Sequence, residues 1–578
     1  MTIFSLFLFV ILLMVAGMAV DMVHQEQRRV AMQNAVDSAV LASTSLTQTL
    51  DQEALVKDYV AKAGFDPDSV AVTTVNEHAG NGIGLVSRQV SVISDVSTDT
   101  MFMGLMGFSS LSSPADSSAI ESSENVEISL ILDISDSMNW ASADPSKSKI
   151  SALQEAAKTF VDAVFATNDP QRVSISIIPY NHQVYASQEL LSRLPLNDAT
   201  TPVTAPATYP GSLTSYQVGD LEAPCLIFDD ADFQTLSLGA SGGFDRSSSF
   251  LSDNYHWGMN GLVQQQYEAP YEWAKWCGDH YAKILPFSND PVALKTHIDS
   301  LEAQGATAIN LAMNWGLGLL DNSMQGVVTD MIAANELSAD VAGRPFAYNA
   351  PSTHKFVILM TDGANTNQRD MKPEFKEGPT RAWYAPSAAT GTVSYDDTQV
   401  TTDQDGNQVT TVTPVTRDKN SYDSYFVLMP NNPADQRWYV PGSPWTTADD
   451  QYVPETDLPA DAMQLDYHEL YNRFGVRSAA RFLFQHSDFA AYSAHFNGMM
   501  DAGGWGVADT RLDQLCTEAK TRSTVKVFSV AFEAPASGQT ALQNCAYAPG
   551  YYFDVDGTDI KTAFQSIASQ IAVLRLKE

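Results

Sequence analysis

Positive charge is scarce in this sequence. It has 33 Lys and Arg against 68 Asp and Glu among 578 residues, a formal net charge of −35. Binding nucleic-acid phosphates needs a basic face, so the deficit argues against DNA or RNA as a partner. It is compatible with divalent cations, although a solvated acidic surface accounts for most of the carboxylates. Charge of either sign is sparse, at 17% of residues against 44% hydrophobic. That excludes a disordered acidic tail and leaves apolar material for a large core and more than one domain. Cysteine is rarer still, with four copies and no C-x-x-C pair. The chain also lacks a G-x-x-x-x-G-K-[ST] phosphate loop and an H-E-x-x-H zinc helix.

One uncharged apolar run stands apart, IFSLFLFVILLMVAGMAV at residues 3–20. Its length is near the minimum for crossing a bilayer as a helix. A cleaved secretory signal is the competing reading. No Lys or Arg precedes the run and no clear A-x-A site follows it, which favours a retained transmembrane helix. Arg28 and Arg29 on its C-terminal side favour a cytoplasmic body. The cysteines oppose them. Cys225 with Cys277 and Cys516 with Cys545 form two separated couples, and such a set in a membrane-anchored chain reads as two disulfides in an oxidising compartment. Zinc is the rival for Cys277-Gly-Asp-His280, with no second tight pair beside it. The cysteines outweigh the two arginines, and the body is expected outside the cytoplasmic membrane.

After the run, Met32, Val36, Ala39 and Val40 recur at helical spacing, so the helix is expected to continue as a stalk. LVSRQVSVISDV at residues 85–96 alternates like a strand, and MFMGLMGFSSLSSP reads as a connector. From Val126 the pattern becomes strand, helix, strand. VEISLIL, RVSISIIPYN, KFVILMTDG, STVKVFSVAF and YYFDV read as buried strands. Between them run helices with apolar faces such as Ile150, Leu153, Ala157, Phe160 and Val164, or Ile560, Phe564, Ile567, Ile571 and Leu574. The alternation predicts a parallel sheet covered by helices on both sides. Two stretches, about 186–283 and 365–466, are too long for loops and read as structured insertions. Within the second, Asp403-Gln-Asp405-Gly-Asn407 resembles a calcium loop but lacks its later acidic ligand, so it reads as a hairpin turning on Asp-Gly.

LILDISDSMNW puts Asp133 at the end of a buried strand, with Ser135 and Ser137 in the turn beyond it. In an open parallel sheet, ligands bind beyond the carboxyl ends of the strands. Alternate positions in an extended turn point the same way, so the two hydroxyls can converge. Thr307 in GATAIN, at the head of a helix, and Asp362 in LMTDG, at another strand end, can meet them. Two carboxylates and three hydroxyls suit Mg²⁺, Mn²⁺ or Ca²⁺ rather than zinc or copper. Few charges in the ligand shell leave the ion electrophilic and able to take a partner's carboxylate. A lone D-x-S-x-S is also an ordinary Asx or Ser cap.

D-x-S-x-S, then Thr in G-x-T-x-I-N, then T-D-G, in that order, resembles the von Willebrand factor A domain with its metal-ion-dependent adhesion site (MIDAS). The resemblance implies direct ligation by Ser135 and Ser137. It implies ligation by Thr307 directly or through water, and by Asp133 and Asp362 largely through water. Asp136 stands where many members have Gly. Both ends of the chain, TIFSLFLFVILLMVAGMAVD with RRVAMQNAVDSAVLAS and LCTEAK…NCAYAPGYYFDV…AFQSIASQIAVLRL, and the Cys277…LPFSND…LEAQGATAINLAMNWGLGLL stretch between them are similar to TadG-type tight-adherence (Tad) pilus-assembly proteins. That resemblance implies a bacterial envelope protein, anchored in the inner membrane with its body in the periplasm, whose partners are pilins or other pilus-assembly proteins. It also supports the two disulfides.

The expected architecture is thus a transmembrane helix at 1–20, a helical stalk with a small pilin-like α+β region at 21–120, and a Rossmann-like von Willebrand A domain at 121–578 carrying the two insertions. The expected function is metal-dependent protein binding in pilus assembly or adhesion, not enzymatic. A metal-independent scaffold or minor pilus component is the alternative. The remote one is a serine hydrolase using Ser241, since Gly239-Ala-Ser241-Gly-Gly243 fits G-x-S-x-G. FQTLSL is a poor strand before it and FDRSSSF a poor helix after it, so a Gly/Ser loop is the better reading.

Overall fold

A computed structural model describes residues 2–46, 48–78, 85–122, 124–198, 202–205, 208–218, 223–239, 242–250, 275–366, 368–402, 407–419, 421–442, 450–476, 479–480, 483, 499–522 and 524–577. The chain forms two units, Met1–Asn125 with Ala350–His354, and Val126–Asn349 with Lys355–Glu578.

In the first unit a single helix, α1 (Thr2–Thr44), carries the apolar run and the stretch after it. It contains no Pro and one Gly, so nothing within it breaks the hydrogen-bond ladder. Among the described residues it is the one helix long and apolar enough to cross a membrane. Its second half buries Met32, Val36, Ala39 and Val40 against α2 (Gln52–Lys62) and an antiparallel sheet of β1 (Val70–His78), β2 (Leu85–Asp99) and β3 (Ser110–Ser122). Here the connector reading fails in part, because SLSSP lies in β3. Pro114 is tolerated opposite Asp95 because β3 is an edge strand, where a missing donor leaves no partner unsatisfied.

The second unit is built on a six-stranded sheet. Its strands are β4 (Asn125–Asp133), β5 (Val173–Tyr180), β6 (Leu285–Ser288), β7 (Thr353–Thr361), β8 (Lys526–Phe532) and β9 (Tyr552–Val555), in the order β6-β5-β4-β7-β8-β9. The winding runs outward from β4 to β6, then restarts at β7 and runs the other way. β4/β5, β7/β8 and β8/β9 pair in parallel. The expectation of an all-parallel sheet needs correction at β6, which pairs antiparallel with β5. The first insertion leaves beyond the carboxyl end of β5, and Tyr185 bridges Lys283 where it returns. The next strand therefore starts at that end and must run back.

Strand alternation sends residues to two cores. On one face Ile128, Leu130, Ile358 and Val530 pack under α3 (Lys149–Thr167), α4 (Pro291–Asp299) and α8 (Asp559–Lys577), through Leu153, Phe160, Leu294, Phe564 and Ile567 among others. On the other, Ile131, Ile178, Val357 and Val527 pack under α5 (Ile309–Gly318), α6 (Trp505–Arg522) and α7 (Ala536–Cys545). The sequence reading named neither β6 nor α6 nor α7.

Phe228, Phe233 and Phe244 of the first insertion join the second core against Trp315. The second insertion forms its own five-stranded antiparallel sheet, in the order Gln451–Val453, Trp438–Val440, Tyr425–Leu428, Pro379–Tyr384 and Met463–Asp466. Thr392–Thr402 pairs with Gln408–Asp418 as an antiparallel hairpin, whose turn residues 403–406 lie outside the described ones. Cys225–Cys277 and Cys516–Cys545 are disulfide-bonded, which removes Cys277 as a thiolate and overturns the zinc alternative.

Candidate functional site

Asp133 ends β4 and Asp362 directly follows β7, the two neighbouring strands where the winding reverses. That crevice is where an open α/β sheet presents loops rather than crossovers. Three loops meet there and are tied by backbone bonds. Asp136 N–H donates to Gly305 O at 2.9 Å and Gln304 N–H to Ile134 O at 2.7 Å. Thr366 N–H and Oγ1 both donate to Thr307 O at 2.9 Å.

The side chains converge in the same place. Ser135 Oγ and Ser137 Oγ lie 3.0 Å apart, and Ser137 Oγ donates to Asp362 Oδ1 at 2.6 Å. Asp133 Oδ1 accepts from Ser135 N–H at 2.7 Å, and Oδ2 accepts from Thr361 Oγ1 at 2.5 Å. Thr307 faces Gly363, where a methyl group would come within 3.2 Å of Thr307 Oγ1. Asp133, Ser135, Thr307 and Asp362 are buried, and Ser137 is half-buried. Burial first, with the Asp362 charge second, pushes the Asp133 carboxyl above the usual carboxylate range. A cation at this point would relieve both causes.

Sequence reasoning missed three partners. Lys149, at the start of α3, places Nζ 3.0 Å from Asp362 Oδ2 and 3.8 Å from Glu533, with both members of the Lys149–Asp362 pair nearly sealed from solvent. Asn365 Oδ1 accepts from Ile309 N–H at 2.8 Å and so caps the helix that begins just after Thr307. His182 lies behind the Thr307 loop. Its Nδ1 accepts from Ala306 N–H at 3.3 Å, and its Nε2 faces Trp276 O at 2.9 Å. Gly305 has φ +84°, and a Cβ there would fall 2.3 Å from His182 Nδ1. Only Gly fits that turn. None of the three belongs to a short motif; each acts from an element distant in sequence.

No group of three or more His, Cys, Asp or Glu side chains among the described residues is placed to hold a metal. The set here is of another kind, two carboxylates and three hydroxyls. All are hard oxygen donors that fit Mg²⁺, Mn²⁺ or Ca²⁺, and the Lys149 ammonium on Asp362 marks the spot as one that favours positive charge. Ser241 and its neighbour Ala240 lie outside the described residues.

Residues 1–45 match the Tad family, Flp pilus-assembly TadE/G-like. No curated protein matches the chain. Solved structures it resembles weakly include the vWF domain of the type V pili tip protein Mfa5 from Porphyromonas gingivalis, at 12% identity and TM-score 0.30, covering 79% of this chain and 98% of that one. The adhesive tip pilin GBS104 from Group B Streptococcus agalactiae gives 13% identity and TM-score 0.28, covering 78% and 100%. The pilus adhesin SpaC from Lactobacillus rhamnosus GG gives 10% identity and TM-score 0.25 over 87% of this chain, which spans only 34% of SpaC. Likenesses of this size carry no argument about the site.

Proposed function

We propose that the protein is a membrane-anchored, non-enzymatic binding component of a Tad-type pilus system. In this reading its second unit is a von Willebrand A domain. Ser135, Ser137 and Thr307 hold Mg²⁺ or a similar ion, with Asp133 and Asp362 behind them, and a carboxylate from a pilin or assembly protein completes the shell. α1 anchors the chain in the inner membrane, and the two disulfides suit a periplasmic body. The observation that carries the reading is the linking of Asp133, Ser135, Ser137 and Asp362, with Thr307 of a third loop facing the adjoining Gly363, at the point where the sheet's winding reverses. The match of residues 1–45 supports the pilus setting.

One observation favours the scaffold alternative. The Lys149 ammonium already pairs with Asp362, so the site is closed without a metal. Ser135→Ala in the native host separates the two. Loss of adhesion or piliation at unchanged protein level supports metal-dependent binding, and unchanged piliation supports the scaffold.

A further inference from the structure

The apolar run of α1 is slightly short. Residues 3–20 rise about 27 Å at 1.5 Å per residue, against a hydrocarbon core of about 30 Å. Extending the span through Met22 and Val23, both exposed, brings it to about 31 Å. That extension takes in Asp21, a carboxylate that hydrocarbon would not tolerate alone. The structure satisfies it from one side. Asp21 Oδ1 accepts from Met101 N–H at 2.9 Å, and Oδ2 accepts from Phe102 N–H at 2.9 Å and Met103 N–H at 2.7 Å. Asp21 as a whole is 4% exposed. One turn earlier the Phe102 side chain lies against Gly17, where a Cβ would fall 2.6 Å from it. The tip joining β2 to β3 is thereby fixed beside positions 17–21 of the helix.

That tip, MFMGLMGF at residues 101–108, carries no charge and turns its apolar side chains outward. Met101 is 72% exposed, Leu105 79% and Phe108 56%. Met101 lines one cleft with Val20 and Val23, and Val20, Met22 and Val23 are exposed too. In water such a patch is a liability. The backbone of the tip is largely closed on itself. Leu105 N–H donates to Phe102 O, Gly107 N–H to Gly104 O, Phe108 N–H to Met103 O and Thr100 N–H to Ser109 O. Non-helical backbone at bilayer depth has to be satisfied in this way.

We propose that residues 101–108 are a second membrane-contacting element, an apolar wedge that enters the bilayer beside α1 and is held at that depth by Asp21. The occupant of the exposed patch is lipid. This rests on the reading of α1 as the anchor. The wedge fixes how far α1 enters the membrane and ties the stalk sheet to the lipid surface.

The test uses the full chain in phosphatidylcholine/phosphatidylglycerol vesicles. A fluorophore is attached to a single added cysteine at Phe9→Cys, Leu105→Cys, Phe108→Cys or Val75→Cys. The four native cysteines are locked in disulfides, so labelling without reductant is selective. The Phe9 probe is expected to be quenched by a deep spin-labelled lipid. The Leu105 and Phe108 probes are expected to be quenched by a shallow one and several-fold protected from iodide relative to Val75. Asp21→Ala should return the Leu105 probe to the iodide sensitivity of Val75 while Phe9 stays in lipid. Phe9 in lipid with both tip probes as iodide-sensitive as Val75 overturns the wedge alone. Phe9 outside lipid overturns the anchor reading, and the wedge with it. Tip probes shielded from iodide but untouched by spin-labelled lipid overturn lipid as the occupant in favour of protein. An Asp21→Ala variant whose tip stays in lipid overturns the role of Asp21.

Discussion

Replacing Lys149 with Met isolates what the site needs. The ammonium is 3.0 Å from Asp362 Oδ2, with side chains 9% and 0% exposed, and Asp133 lies in the same buried group. Removing one partner of a buried pair costs about 3–5 kcal/mol, because it strands the other charge. We therefore expect Lys149→Met to lose roughly 3–5 kcal/mol of stability in EDTA, measured by denaturant unfolding. A divalent ion takes over the countercharge without having to displace an amine. Mg²⁺ should thus restore most of the loss and bind more tightly to the variant than to the wild type. At a hundred times its Kd it adds about 2.7 kcal/mol through linkage alone. Unchanged stability in EDTA, or weaker Mg²⁺ binding by the variant, would refute the reasoning.

Three further outcomes follow. Gly305→Ala forces a Cβ toward His182 Nδ1 at a φ of +84°, so it should cost roughly 1–3 kcal/mol and weaken Mg²⁺ binding by displacing Thr307, checked by unfolding and calorimetry. Burial pushes His182 down from 6.5 to about 3, so its contribution is complete above pH 6.5 and is lost as pH falls toward 3. At pH 5 the loss is about 2 kcal/mol, and unfolding curves of His182→Gln should lack that part of the acid dependence. Cys516→Ser with Cys545→Ser opens a link across a sequence separation of 29 and should cost roughly 3–4 kcal/mol, while reductant, which opens Cys225–Cys277 as well, should lower the wild type at least as far.

The strands and helices with strong periodicity were legible because burial imposes the period. α3 buries Leu153, Ala157, Phe160 and Val164 with Ile150 partly covered, α8 buries Ile560, Phe564, Ile567 and Ile571 while the Leu574 side chain lies outside the described ones, and α1 runs unbroken through the stalk because no residue stops it. The Asp405-Gly406 dipeptide announced a hairpin, and residues 392–402 and 408–418 pair as one, the dipeptide itself lying outside the described residues. The antiparallel direction of β6 was not legible, since it follows from where a long insertion returns rather than from LPFS itself. α6 was missed although Ala508, Leu512, Leu515, Cys516 and Ala519 recur at helical spacing and are buried, because that apolar stripe is narrow and two of its five residues are Ala. β3 was missed because its Ser and Pro residues suggest a loop, whereas here one edge pairing suffices to order them. At the site, the spacing of Asp133, Ser135 and Ser137 spoke for a shared focus. Lys149, Asn365 and His182 carry no local signal, because each is brought in by tertiary packing.

The most direct test is calorimetric titration of Mg²⁺ and Mn²⁺ into the full chain in detergent, against the Asp133→Ala, Ser135→Ala double variant. The account predicts saturable binding at one site, lost in the double variant while the fold, followed by near-ultraviolet circular dichroism, is kept. Equal binding by both proteins, or none by either, would contradict a metal held by Ser135, Ser137 and Thr307, and would leave the Lys149–Asp362 pair as the site's only cation.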